Sequence, residues 1–436
     1  MSDGVTTQDL NTAPITVTRY TPHTEARTSP FVVDTFIVDV SGIANGQTLA
    51  RAIEQFFMSA RRRFKLKIGA QVYLNFKLQT ADSYWRSEII DGTVDLIDDA
   101  YHYDTLGGYV QLEVSLTRRN YWEQTNEVTV NTFNAVSAAS SIQQLFNMSN
   151  VAAVRNNYVR ILAASIVGDV ESPLHIEMTN NFVSATRMAD VWIGHLIERN
   201  GTLDGVVEME GGTYYNSTAA VVAAGASGGN YVNLAWSGAS STVVWDRTLS
   251  TAFMNAAMGV SFRVLAFTFA AGTAGARIRA RITMEGLHEK WFGPWVAVGN
   301  SADVLDLGEV QIPTGLIGST SVYPLRIELQ GWNLAGGANV VPVDYLMFMP
   351  TDGFRFLHDS GFSTAQNVTL VDNTVDMLTY TTGWATPGRA DNYVPEGKPI
   401  MLVPGMGNAL YFMMRPAAPA RTMNVIVSYR PRRLTI

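Results

Sequence analysis

Four apolar residues at alternate positions, Val110, Leu112, Val114 and Leu116, with Gln111, Glu113 and Ser115 between them, constrain this chain more than any other feature. A period of two separates an apolar from a polar face only in a β-strand, because a helix would scatter the same residues around its axis. The pattern recurs. Val72, Leu74, Phe76 and Leu78 alternate with Tyr73, Asn75, Lys77 and Gln79, and Ile278, Ala280, Ile282 and Met284 alternate with Arg277, Arg279, Arg281 and Glu285. Near the end, Met423, Val425, Val427 and Tyr429 alternate with Asn424, Ile426 and Ser428, and Pro431, which has no N–H to donate, closes that ladder. Gly- and Pro-containing turns separate these runs, so the expected fold class is mainly β: a multi-domain β-sandwich or jelly roll.

One segment breaks the period. In "NGQTLARAIEQFFMSARRRF", Leu49, Ile53, Phe56, Phe57 and Ala60 fall at helical spacing, and Arg61, Arg62 and Arg63 stand at the end where the helix dipole favours cations. This is the one amphipathic helix expected in the N-terminal domain. A second, short connecting helix is read in "AVSAASSIQQLFNMSN" from Ile142, Leu145 and Phe146. "SFRVLAFTFAAGTAGARIRARITMEG" reads as a hairpin, "RSEIIDGTVDLID" as a short strand and turn, and the Gly-, Ala- and Ser-rich stretch 208–245 as loop. The resulting division is an extended arm over 1–30, a sheet-plus-helix domain over 31–150, a jelly-roll sandwich over 151–353 and a C-terminal β domain over 354–436.

With 436 residues there is room for several cores, at roughly 150 residues per domain. Only 16% of residues are charged, below the ~25% usual for soluble domains, which suggests surface hidden in an assembly. The formal charge of −7 is dispersed, so neither nucleic acid nor an anionic membrane is an expected partner. "TAAVVAAGASGG" breaks at glycine well short of the ~20 residues a spanning helix needs, and no basic n-region opens the sequence. Without cysteine there is no disulfide, thiolate zinc site or Cys nucleophile.

Chemistry-bearing motifs are sparse. The six histidines lie far apart, and no GxSxG, GxxxxGK[ST] or post-strand GxGxxG occurs, so no catalytic residue, cofactor or metal is expected. Asp91, Asp95, Asp98 and Asp99 are an acidic turn without the EF-hand pattern. Asp303 with Asp306, and Glu208 with Glu210, are acid pairs whose separation only the fold can set. Trp291 and Trp295 flank Phe292, Gly293 and Pro294, and Tyr214 and Tyr215 follow two glycines. Rings in such loops can stack on a sugar face, or they can be packing anchors. Arg430, Arg432 and Arg433 either dock on an acidic neighbouring subunit or form a solvated basic end.

Five stretches carry a resemblance. "LTRRNYWEQ", closing a domain that opens with an arginine-ended helix, and the terminal "LVPGMGNALYF…VIVSYRPRRL" resemble distal tail (tail-tip, baseplate-type) proteins of long-tailed bacteriophages. "GDVESPLHIEMTN", "VWIGHL" and "VDYLMFMPTDGF" resemble the carbohydrate-binding-type jelly rolls inserted in such proteins. The resemblance implies a virion structural protein of the phage tail, assembled in the host cytoplasm. It also implies a homo-oligomeric ring, by family analogy a hexamer, joining the tail tube to the hub, fibre or other host-recognition components. The alternative is a carbohydrate-binding protein or depolymerase acting on host surface polysaccharide.

Overall fold

The structure is a computed structural model that describes residues 1–3, 5–10, 12, 15–21, 29–77, 84–96, 109–130, 145–148, 157–180, 190–284, 287–313, 324–358, 369–374, 378–382, 391–392, 394–415 and 423–435. It is mainly β, as the alternation predicts, in antiparallel sheets with two α-helices among the described residues. The chain falls into two compact units, one of residues 1–127, 168–170 and 430–436, the other of 128–167 and 171–429.

The first unit is a twisted antiparallel sheet whose strands run, in spatial order, Ile15–Thr21, Phe31–Ser41, Tyr109–Arg119, Trp85–Leu96, Trp122–Gln124 and Arg432–Arg433, with Tyr73–Phe76 also paired to Trp85–Leu96. The helix α1 (Ile43–Leu66) lies on one face and buries Leu49, Ile53, Phe56, Phe57 and Ala60, the residues its periodicity singles out, against Val38, Val40, Leu112 and Val114. It ends on Lys67 in the left-handed region, φ 58°, whose N–H returns to the Arg63 carbonyl. Within the segment read as an arm, Ile15–Thr21 is an edge strand held by Phe31–Ser41 of the same chain.

The Asp91-Gly92 pair, read as a turn, instead lies inside the twelve-residue strand Trp85–Leu96, whose register shifts between Ile89 and Asp91. The cause is packing: a Cβ on Gly92 would sit 2.4 Å from the Phe57 ring, so glycine lets the helix close on the sheet.

The second unit holds two sandwiches, one inserted into the other. The outer one faces the sheet Thr369–Asn373, Ser172–Asn180 and Met423–Tyr429, with its flanking strands, against the sheet Gly353–Leu357, Val191–Glu198, Gly407–Met414 and Tyr158–Ile161. Between them lie Ile161, Ile176, Met178, Ile193, Leu410, Phe412, Val425 and Val427. The strands of 354–435 are thus shared among three sheets, pairing with Ser172–Asn180, Val191–Glu198 and Trp122–Gln124.

Leu145 and Phe146, read as helical, belong to the strand Leu145–Met148, which the ladder of Met423–Tyr429 captures; the rest of that expected helix is outside the described residues. "VWIGHLI" and "LYFMM" lack alternation because their sheet is buried on both faces: Ile193 and Phe412 point into the outer sandwich, Trp192 and Tyr411 into the inserted one.

Val191–Glu198 pairs directly with Gly353–Leu357. Everything from 199 to 352 therefore replaces the loop of a hairpin and forms its own two-sheet sandwich. One sheet runs Ala219–Val222, Asn230–Ser237, Ala338–Pro350, Ser261–Thr268 and Val304–Gln311; the other runs Thr213–Tyr214, Thr242–Thr248, Leu325–Trp332, Arg277–Met284 and Leu287–Phe292. α2 (Thr251–Ala257), capped by the Ser250 hydroxyl accepting from the Phe253 N–H, closes one end.

Two expectations fail in this sandwich. Ser261–Thr268 and Arg277–Met284 are not hairpin partners but sit in opposite sheets, because residues 269–276 cross from one layer to the other. The stretch 208–245 is only partly loop, because Thr213–Tyr214, Ala219–Val222, Asn230–Ser237 and the start of Thr242–Thr248 are strands. Val232, Leu234 and Trp236 face the core, and the small residues Ala235 and Ser237 between and beyond them hid the strand period in a loop-like composition.

Candidate functional site

The outward face of the second sheet of this inserted sandwich gathers the polar chemistry of the module. In Arg277–Met284 the residues Ile278, Ala280 and Ile282 are buried, so Arg277, Arg279, Arg281 and Thr283 face out. In Leu325–Trp332 the same parity buries Ile327 and Leu329 and turns out Arg326, Glu328, Gln330 and Trp332. The antiparallel register sets Arg277 opposite Trp332, Arg279 opposite Gln330, Arg281 opposite Glu328 and Thr283 opposite Arg326. Side chains directly across a ladder meet, and here every outward pair is polar or cation–aromatic.

At one end of this face the charges are matched. Arg281 pairs with Glu328, whose other oxygen accepts from the Thr283 hydroxyl at 3.1 Å. Arg326 reaches Asp246 at 3.5 Å. At the other end they are not: Arg277 and Arg279 have no acidic partner among the described residues. The Arg279 guanidinium lies 4.6 Å from the centre of the Trp295 ring and 5.1 Å from that of Phe292, and its Nε donates to Gln330 Oε1 at 2.7 Å. Arg277 lies 5.3 Å from the Trp332 ring, and the Trp295 and Trp332 centroids are 5.6 Å apart at 50°. Phe292 is half exposed. A cation held against a ring face stays planar and ordered while its remaining N–H groups face outward.

The loop carrying these rings is pinned. A Cβ on Gly293 would fall 1.8 Å from the Leu307 carbonyl, so the backbone there lies directly on the neighbouring strand.

Of the ring residues picked out in the sequence, Trp295 is on this face, whereas Trp291 packs against the core of the sandwich. Tyr214 also packs against that core, its hydroxyl donating to the Glu210 carbonyl at 2.9 Å. Tyr215 stands at the opposite edge of the same sheet and donates to Asp246; that bond, with burial, pushes its phenol above the usual range. The four therefore do not form one cluster. Trp332, Arg277 and Arg279 complete the aromatic end, and strand parity in "ARIRAR" and "IELQGW" is the signal that marks them as outward.

The terminal arginines are used inside their own unit. Arg432 pairs with Glu123 at 3.2 Å and covers the Tyr121 ring at 4.1 Å, Arg433 lies 4.8 Å from the Trp85 ring, and Arg430 approaches Glu127 at 3.5 Å. Asp91 pairs with Arg61; Asp98 and Asp99 lie outside the described residues. Asp303 is held by Arg415 and Asp306 by Arg263, so the two acids of this pair engage different cations. Glu208 accepts from the Ser227 hydroxyl at 2.8 Å. Among the described residues there is no cluster of three His, Asp or Glu able to hold a metal ion, and no helix is long and apolar enough to cross a membrane. The first unit also carries an open cavity of about 760 Å3, largely apolar and walled by Met1, Leu10, Val17, Phe36, Phe76 and Trp122.

No protein-family model matches the sequence, and no curated protein matches it. Among solved structures, that of infectious bursal disease virus Gt strain aligns over 86% of this chain and 87% of its own at 9% identity with a TM-score of 0.18. That of the Gx strain aligns over 86% of each chain at 10% identity with a TM-score of 0.17. TM-scores this low do not establish a shared fold.

Proposed function

We propose that this chain is a non-catalytic virion structural subunit of the phage tail-tip kind that its sequence resembles. It assembles into a homo-oligomeric ring, a hexamer by analogy, that links the tail tube to the host-recognition parts. The observation that carries this reading is the placement of a complete sandwich, 199–352, between two strands that pair with each other, Val191–Glu198 and Gly353–Leu357. A scaffold that gives a whole sandwich to one hairpin connection carries a second module with an outward sheet face and loops of its own, which suits recognition better than turnover. Low charge, with most described arginines engaged in internal ion pairs, fits a protein whose free surface is largely taken up by neighbours.

Mass photometry and negative-stain electron microscopy of the full chain test the assembly. Rings are expected, and a monomer at every concentration overturns the proposal.

A second reading, a carbohydrate-binding protein, is favoured by Trp295, with the Arg279 guanidinium against its ring and Trp332 beside it, gathered on the outward face of one sheet. The two are compatible, because several weak copies on a ring gain avidity.

A further inference from the structure

We infer that the unmatched end of the outward face in 199–352 binds an acidic pyranose, a hexuronate or sialic acid unit. Its carboxylate sits on Arg277 and Arg279, and its ring lies against Trp295 and Trp332. The inference rests on reading this sandwich as a recognition module and specifies what it recognises.

The argument starts from charge. The sandwich has seven arginines: Arg199 pairs with Asp352, Arg263 with Asp306, Arg281 with Glu328 and Arg326 with Asp246, and Arg247 donates to the Glu208 carbonyl at 2.7 Å. Arg277 and Arg279 alone among them lack a carboxylate or backbone-carbonyl partner among the described residues, and they stand two positions apart on one strand face. Gln330 satisfies Arg279 Nε, while its two terminal nitrogens have no hydrogen-bond partner among the described residues. Two neighbouring guanidinium groups repel, and an anion that accepts from both removes that cost while forming charge-assisted hydrogen bonds.

The rings narrow the choice of anion. Phe292, Trp295 and Trp332 lie beside the two arginines, so the ligand presents an apolar plane close to its acid. A pyranose has such a plane in its axial C–H groups, and a ring-borne carboxylate places the charge at its rim. Neutral sugars leave the guanidinium pair unanswered. A nucleic-acid strand needs a longer cationic track than two arginines on a chain of net charge −7.

The test is calorimetry on the full chain with oligogalacturonate, its methyl ester, sialyllactose and a single-stranded oligothymidylate. Oligogalacturonate or sialyllactose is expected to bind, and which of the two binds tells the hexuronate source from the sialic acid source. The binding weakens with added salt, falls about tenfold or more in R277Q and R279Q, and is lost with the methyl ester. R279K, which keeps the charge and removes the planar fork, is expected to fall between wild type and R279Q, and W332A to lose affinity for both acidic sugars. The ester comparison uses unmodified protein and is independent of whether any variant folds.

Equal binding of acid and ester overturns the acidic specificity and leaves the module reading standing. Binding of the oligothymidylate alone, or of nothing, overturns both; neither result touches the ring assembly, which is measured separately.

Discussion

Asp34 is fully buried in the first unit and its carboxylate is met by Arg118, with Nε at 2.5 Å from Oδ2 and a terminal nitrogen at 3.4 Å from Oδ1, while the Tyr20 hydroxyl donates to Oδ2 at 3.2 Å. Arg118 is only 6% exposed, also donates to the Arg119 carbonyl at 2.8 Å, and stacks 4.3 Å from the Trp122 ring. Replacing Arg118 with Ala takes away the principal counter-charge of a carboxylate that water does not reach, which costs about 3–5 kcal/mol. The double variant Asp34→Leu with Arg118→Leu removes both charges and fills the space, so it costs much less than the single change even though it alters more atoms. Because the chain has two units, the readout is local: hydrogen exchange of the amides in Phe31–Ser41. There Arg118→Ala accelerates exchange by about 10²- to 4 × 10³-fold at a tenfold change per 1.4 kcal/mol, and the double variant by far less. If the double variant exchanges as fast as the single one, the cost lies in lost shape rather than in a stranded charge, and the reasoning is refuted.

Gly92→Ala puts a methyl group into the Phe57 ring and destabilises the first unit by about 1–3 kcal/mol, and adding Phe57→Leu recovers part of the loss in urea titrations. Arg415 bonds to both Asp190 and Asp303, joining the outer and inserted sandwiches, so Arg415→Ala exposes the ends of 199–352 to limited proteolysis earlier than in wild type. His195 is buried against Asn408, with Nε2 and Oδ1 2.9 Å apart, and burial lowers its pKa from the ordinary 6.5. The unfolded chain thus binds the proton more readily. The stability this contributes is present above about pH 6.5 and is lost as pH falls. His195→Gln flattens that acid limb when unfolding is measured from about pH 7.5 to about pH 5, and an unchanged slope would show the group plays no such part.

What could be read from the sequence follows burial on one face. α1 and the strands Tyr109–Arg119 and Arg277–Met284 each have one buried and one outward side, and their periods name the buried residues correctly at Phe57, Leu112 and Ile278. Where both faces are buried, as in Val191–Glu198, periodicity vanishes and only the strand itself is visible, not which core each residue joins. Gly92 misled because a glycine needed for a close helix approach looks identical in sequence to one needed for a turn. Pairing between distant segments, such as Met423–Tyr429 with Ser172–Asn180, leaves no local trace, so the sharing of sheets across the chain could not be read. Trp295 was legible as a loop ring, but its partner Trp332 comes from a strand that the register, not the sequence, brings beside it.

The aromatic end of the inserted sandwich gains its meaning from how the other arginines are used. In a chain with 16% charged residues, the described arginines are mostly committed: Arg160 to Glu198, Arg355 to Asp372, Arg432 to Glu123. An ion pair on a surface contributes little stability, so an unpaired arginine there would ordinarily mean nothing. Arg279 differs because its guanidinium is held between Trp295 and Phe292 and fixed by Gln330, an arrangement that orders a cation without neutralising it. Ordering costs side-chain entropy, and rings and an amide recover only part of it; an anion shared with Arg277 recovers the rest. The same geometry predicts that ligand and rings act together. Trp295→Ala, which leaves both charges in place, should weaken acidic-sugar binding by about as much as Arg279→Gln, since it frees the guanidinium to wander. If Trp295→Ala binds as wild type does, the rings serve packing and the arginines alone make the contact.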